Sequence, residues 1–261
     1  MSASSGEGLK LIRVAPLKNL TRHFDSTSRC KKNSVAQRKF LLASKFIEFN
    51  PFGGDIVIVL IDYGVGNLYS VAKAVASVGG DVKISGAADD LKRAEKIILP
   101  GVGAFGDCMK NLAATGLIPT IEREVAGGKK ILGICVGLQI LFAGSEESPA
   151  IDGLKIFGGH VRKIRADGLK IPHMGWNSVS TIRNEELGIR NLFKGIENDS
   201  YFYFVHSYHA IPDDKKIIAA TTIYGETVTA AIEHENIFAT QFHPEKSGDV
   251  GLRVLKNFVD A

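Results

Sequence analysis

Cysteine is scarce in this chain: of 261 residues only Cys30, Cys108 and Cys135 carry a thiol. Three is an odd number, the positions lie far apart, and no Cys-x-x-Cys pair occurs, so neither a disulfide framework nor a zinc site is indicated. A reducing compartment is expected. Long apolar runs are lacking as well. The longest, Ile56 to Ile61, is about a third of what crosses a bilayer, so a soluble protein is expected. Nor is there a strong excess of one charge. Lysine plus arginine total 32 against 28 acids, and the first 54 residues alone hold ten basic and three acidic side chains. The +7 of that segment leaves the rest of the chain at −3, without the basic stripe that nucleic-acid binding requires.

What is present is enough for one core. With 45% apolar residues the chain can bury a domain of about 200 residues and carry an appendage. Residues 1–54 read as that appendage: rich in serine and basic residues, poor in acids, and without periodicity apart from a short candidate helix over 35–49. Two readings stay open for it, a disordered or wrongly assigned extension and an organelle transit peptide.

From Asp55 the texture changes to a buried-strand run (IVIVLI), a glycine-rich turn (DYGVGN) and an amphipathic stretch over 68–78. Further strands are expected at 81–84, 96–99 and 130–134. Helices are expected near 89–94, 108–112, 118–126 and 136–143. This alternation predicts an α/β fold with a mostly parallel central sheet and helices on both faces, flavodoxin-like in type. Beyond residue 150 strands and turns dominate, with a last helix over 250–259. Those strands are expected to pair antiparallel, extending the main sheet or laying a smaller one beside it.

The chemistry concentrates at Gly133-Ile134-Cys135-Val136-Gly137, between a predicted strand and a predicted helix. A nucleophile in a Gly-x-Nuc-x-Gly turn stands exposed above the sheet, and the helix start favours negative charge on sulfur. A lone buried structural cysteine is the competing reading. A thiol nucleophile needs a base, and the base an orienting group. His243 and Glu245, in Gln241-Phe242-His243-Pro244-Glu245, supply both. The proline keeps His243 extended, so that side chains two apart point to the same side. For the oxyanion of a tetrahedral intermediate, one donor is expected from the N–H of Val136. The second is expected from the loop Pro100-Gly101-Val102-Gly103, which leaves a strand at the same sheet edge.

These residues carry a resemblance. From about Asp55 onward the chain resembles the class I glutamine amidotransferases through PGVGAFGD (100–107), GICVGLQ (133–139) and QFHPEKS (241–247). Within them it is similar to the glutaminase subunits of imidazole glycerol phosphate synthase, through DYGVGN (62–67), IPHMGWN (171–177) and FVHSYH (204–209). The resemblance implies Cys135 as nucleophile, His243 as general base and acid, and Glu245 as its orienter. It implies that Gly101, Val102 and Gly103 form a flexible oxyanion strand. Gln139 would grip the substrate glutamine, with Ser207 and Tyr208 as backbone contacts. It implies a partner, a cyclase subunit with a (β/α)8 barrel, in a heterodimer through which ammonia is channelled. That cyclase is a separate chain, or this chain is part of a fused enzyme. Asn67, Met174, Trp176 and Lys246 match positions that face the partner, and His173 is a further candidate contact. His160, His209 and His234 are expected to be structural or at the surface. No metal or organic cofactor and no nucleic acid or membrane partner is implied.

The implied activity is release of ammonia from glutamine through a cysteine thioester, feeding histidine biosynthesis. Other readings stay open: the glutaminase of another amidotransferase, a non-catalytic scaffold that keeps the fold, or a peptidase-type cysteine hydrolase. A cytoplasmic location is expected, or a plastid if residues 1–54 are a transit peptide.

Overall fold

The computed structural model describes residues 58–182 and 191–261. The readings of residues 1–54, the helix over 35–49 and the boundary at residue 54 lie outside the described residues.

The first strand, β1 (Ile58–Ile61), is wholly buried, as a continuous run of branched apolar residues requires in a parallel sheet covered on both faces. Helix α1 (Leu68–Ser77) follows, capped by the Asn67 side chain, which accepts from the Ser70 N–H at 3.3 Å. The alternation continues through β2 (Val82–Ser85), α2 (Ala88–Arg93), β3 (Lys96–Gly101), α3 (Phe105–Ala114), α4 (Ile118–Ala126), β4 (Lys130–Cys135) and α5 (Val136–Gln139). Strands β5 (Gly159–Lys163), β6 (His173–Thr181), β7 (Ser200–His206), β8 (Tyr208–Pro212), β9 (Ile218–Tyr224), β10 (Glu226–His234) and β11 (Ile237–Thr240) come next, and α6 (Gly248–Asp260) closes the fold.

Nine of these strands form one sheet in the order β2-β1-β3-β4-β11-β10-β9-β6-β7, and β5 pairs with β8 alone. The half from β2 to β11 is parallel and the half from β11 to β7 antiparallel. Both sequence alternatives for the later strands are therefore realised: most extend the parallel sheet, and one pair lies beside it. Strand order reverses at β1, so right-handed crossovers send the following helices to opposite faces, and the open edge for ligands lies beyond the strands' carboxyl ends. The chain leaves that edge at Asp62 after β1, at Val102 after β3, at Val136 after β4 and at Gln241 after β11.

One element is shorter than its hydrophobic pattern predicts. Leu138 to Phe142 are all buried, which reads as a helix to residue 143, yet α5 stops at Gln139. The N–H groups that would extend it turn elsewhere: those of Leu141 and Phe142 reach carbonyls only three residues back, at 3.3 and 3.1 Å, and that of Ala143 reaches the Gly159 carbonyl at 3.3 Å. The carbonyls beyond are then taken by a returning segment. Leu154 N–H reaches the Ile140 carbonyl at 2.8 Å, Ile156 N–H that of Leu141 at 2.9 Å and Gly153 N–H that of Ala143 at 2.9 Å. Helix α6 buries Val254, Leu255 and Phe258, each worth roughly 1.5–3 kcal/mol on leaving water. It also lies on the turn after His243 so closely that a Cβ at Gly251 would stand 2.1 Å from the Pro244 carbonyl oxygen.

Candidate active site

Cys135 ends β4 and precedes α5 with φ 56 and ψ −109, a left-handed backbone that a non-glycine residue adopts only when its surroundings enforce it. The enforcement is visible in the flanking glycines. A Cβ on Gly137 would lie 2.0 Å from the Leu99 carbonyl oxygen, and one on Gly133 would lie 2.7 Å from the Gly137 carbonyl oxygen. The Gly-x-Cys-x-Gly pattern is thus the sequence signature of a turn packed onto β3, and it presents the sulfur at the carboxyl edge. Val136, first residue of α5, has a backbone N–H with no acceptor within its own helix.

His243 arrives from the strand next door, since β11 pairs with β4. Its φ of −96 and ψ of 98 are extended, as the following proline requires. The extended backbone ends there. Pro244–Lys246 form a 3-10 turn, and that turn brings the Glu245 carboxylate back to the imidazole, Nδ1 to Oε1 at 2.9 Å. The expectation of an extended segment through Glu245 is corrected accordingly; the pairing is made by a turn. The histidine backbone is fixed at both ends, its N–H to the Tyr203 carbonyl at 3.0 Å and its carbonyl by the Ser247 hydroxyl at 2.7 Å.

The Cys135 thiol is the second group that favours a proton on the imidazole. His243 and Glu245 side chains are 4% and 2% exposed, so the three groups interact with little screening. Burial alone would disfavour the imidazolium. The hydrogen bonds and charges of Cys135 and Glu245 outweigh it and push His243 up to about 10. The arrangement can hold a proton on His243 beside an anionic sulfur, which suits nucleophilic attack followed by proton donation to a leaving amine.

The loop after β3 faces this turn. Gly101 is in register with Cys135, and a Cβ on Gly101 would stand 2.5 Å from the Gly137 nitrogen. Val102 is half-exposed and Gly103 has φ 90, so the strand leaves the sheet through a glycine turn. Two side chains not foreseen from the sequence hold its carbonyls. The Tyr63 hydroxyl donates to the Pro100 carbonyl, and Cys108 Sγ lies 3.4 Å from that of Val102. Burial raises both Tyr63 and Cys108 above their ordinary values, Tyr63 strongly, which keeps each a donor.

Gln139 is buried one turn after Cys135, and both of its amide hydrogens are committed, to the Tyr208 carbonyl at 2.9 Å and Gln241 Oε1 at 3.0 Å. A substrate could therefore meet only its oxygen. Ser207 and Tyr208 lie beside it where β7 passes into β8, with the Ser207 carbonyl already accepting from the Ile164 N–H at 3.0 Å.

Of the expected partner-facing residues, Met174 and Trp176 are 62% and 55% exposed on one face of β6. Lys246 is exposed nearby, its Nζ 5.8 Å from the Tyr203 ring, which meets Trp176 edge-on at 6.3 Å. Asn67 is exposed too, although its side chain already serves as a helix cap. His173 does not belong with them. It is buried on the opposite face of β6, stacked between Phe204 and Tyr224 with ring centroids at 4.7 and 4.1 Å. His160 and His234 are exposed and His209 is buried. Among the described residues no three His, Cys, Asp or Glu side chains gather to hold a metal ion, and no helix is long and apolar enough to cross a membrane.

Comparisons with known proteins show the family and the fold. The family described as Glutamine amidotransferase class-I matches residues 59–261. The imidazole glycerol phosphate synthase subunit HisH of Syntrophotalea carbinolica is 46% identical over 210 residues, 78% of this chain and 100% of its own. The HisH subunit of Methanocaldococcus jannaschii is 49% identical, covering 78% of this chain and 99% of its own. In fold, the chain is similar to the solved structure of PurLQS from Thermotoga maritima at TM-score 0.59 and 21% identity, over 79% of this chain and 99% of that one. With a Cys-His-Glu line on the carboxyl edge of such a sheet and relatives of this closeness, the chain belongs to the class I glutamine amidotransferase family, in the branch of the HisH subunits.

Proposed function

We propose that Cys135, His243 and Glu245 are the catalytic residues by which this glutamine amidotransferase acts as glutaminase subunit of imidazole glycerol phosphate synthase in histidine biosynthesis. The sulfur attacks the side-chain amide carbon of glutamine, and the oxyanion forms beside the Val136 N–H and the strand Gly101-Val102-Gly103. Ammonia leaves with a proton from His243, and water assisted by the same imidazole hydrolyses the thioester to glutamate. Gln139 contributes its carboxamide oxygen to substrate binding, with backbone of Ser207 and Tyr208 beside it. The observation that carries this reading is the buried line of thiol, imidazole and carboxylate, whose partners push His243 up to about 10 against its burial.

The exposed face of Met174, Trp176 and Lys246, with Asn67 at the head of α1, is proposed to dock a cyclase subunit, a (β/α)8 barrel in a heterodimer that receives the ammonia. A large aromatic and a methionine left in water on a strand beside the site support that assignment. Residues 55–261 are proposed as the amidotransferase domain and 1–54 as an appendage to it. The proposed location is the cytoplasm, or the plastid if that appendage is a transit peptide. The test is glutamate release from glutamine by the purified chain, alone and with a cyclase subunit and its nucleotide ligand. Low activity alone and a steep rise with both is expected. High activity alone, or none under either condition, would overturn the assignment to this synthase.

A further inference from the structure

A continuous line of hydrogen bonds, buried at its Cys135 end, connects the sulfur with β6, and one atom fixes its direction. The Tyr208 carbonyl oxygen can only accept. On one side it takes the Gln139 Nε2 at 2.9 Å. That nitrogen, as a donor, must find an acceptor in Gln241, which it meets as Oε1 at 3.0 Å. The Gln241 carboxamide is then oriented with its N–H2 towards Cys135, Nε2 to Sγ at 3.7 Å, and Gln241 is fully buried.

On its other side the same carbonyl takes the His206 Nδ1 at 2.9 Å, so the hydrogen sits on that nitrogen and Nε2 is left an acceptor. His173 Nδ1 lies 3.0 Å from that Nε2 and must donate, leaving its own Nε2 to accept from Asn177 Nδ2 at 3.2 Å. Asn177 Nδ2 also donates to the Ile223 carbonyl at 2.9 Å, which agrees with its orientation. Burial pushes His206 down to about 3 and His173 to about 4, so both rings are neutral and each can accept at one nitrogen. Every bond in the line has one allowed polarity, and its end product is an N–H aimed at sulfur.

We propose that Gln241 is a further catalytic residue, donating to the Cys135 sulfur and favouring its anionic form, with Gln139 as the positioning residue that fixes the orientation of its carboxamide and His206 and His173 as positioning residues that hold the Tyr208 carbonyl in place. The inference rests on Cys135 being the nucleophile. A carboxamide N–H is suited to the task because it strengthens as charge develops on sulfur and cannot itself take the proton. Among the described residues, the ionisable groups that interact with that sulfur are His243, backed by Glu245, and Tyr63 and Cys108, which burial keeps protonated.

The test is the rate of alkylation of Cys135 by iodoacetamide against pH, read by mass spectrometry of the Cys135 peptide, together with kcat and KM for glutamine in the complete complex. Gln241→Ala and the near-isosteric, uncharged Gln241→Met are compared with wild type. Both are expected to slow alkylation at pH 7 by roughly tenfold or more, to move the profile to higher pH, and to lower kcat with little change in KM. Gln241→Met fills nearly the same space and brings neither a donor nor a charge towards sulfur, so a purely structural role would leave its profile as in wild type. His206→Phe should shift the profile in the same direction by less. A wild-type profile in a folded Gln241 variant, judged by its melting temperature, would overturn the proposal. Glutamine turnover that survives Cys135→Ala would instead overturn the nucleophile itself.

Discussion

Replacing Glu245 with glutamine removes a charge and changes almost no volume, at a carboxylate that is 2% exposed and 2.9 Å from His243. His243 is held up at about 10 by the hydrogen bonds and charges of Cys135 and Glu245 acting against burial. A buried hydrogen bond to a charged group contributes roughly 1.5–3 kcal/mol, and each pH unit of a titration corresponds to about 1.4 kcal/mol. Glu245→Gln should therefore lower the His243 titration by roughly one to two units. The amide can also present its N–H2 to Nδ1 and select the wrong tautomer, so kcat should fall at least tenfold to a hundredfold, on the order of that same energy. Two assays follow it: the NMR titration of the imidazole, and the pH dependence of glutamine hydrolysis in the complex. Stability has a definite sign as well. Because the folded-state value is raised, the contribution of His243 is fully present below its ordinary 6.5 and is lost as pH rises through about 10. The melting-temperature deficit of the variant should be largest near pH 6 and shrink towards pH 10. An unchanged histidine titration with unchanged kcat would refute the reasoning.

Gly137→Ala should destabilise the fold and abolish activity together, because its Cβ would stand 2.0 Å from the Leu99 carbonyl oxygen and only backbone movement relieves that contact. Overpacking of this kind costs roughly 1–3 kcal/mol or more, and thermal unfolding read beside glutamate release checks it. Trp176→Ala, at a side chain 55% exposed, should leave the melting temperature nearly unchanged. It should weaken cyclase binding by roughly 2 kcal/mol, about thirtyfold in Kd by calorimetry, and wild-type affinity would remove Trp176 from the docking face. Deleting residues 1–52 should leave both folding and glutaminase activity intact, and a collapse of the melting temperature on truncation would contradict this.

The parallel half of the sheet was legible chiefly through β1 and β3, continuous apolar runs that lead into glycine turns. The nucleophile turn was legible for a related reason: only glycine fits at 133 and 137, so the sequence carries the steric constraint openly. Helix α5 was overrun because buried apolar residues from 138 to 142 satisfy a helical pattern. What ends the helix is a tightening to three-residue turns at Leu141 and Phe142 and the departure of the Ala143 N–H to the Gly159 carbonyl. His173 was misread because strand register decides its surroundings. It pairs across β6 and β7 with His206, while its neighbours Met174 and Trp176 point to the other face. Gln241 and Ser247 were invisible for the same cause, being ordinary polar residues until folding places sulfur and the His243 carbonyl beside them.

The most direct test of the central claim is covalent trapping with a glutamine-like electrophile, followed by peptide mass spectrometry. The added mass should appear on Cys135 and be absent from Cys108, which is fully buried. Glutamate release in the absence of any adduct on Cys135, or with the adduct on another residue, would contradict the account.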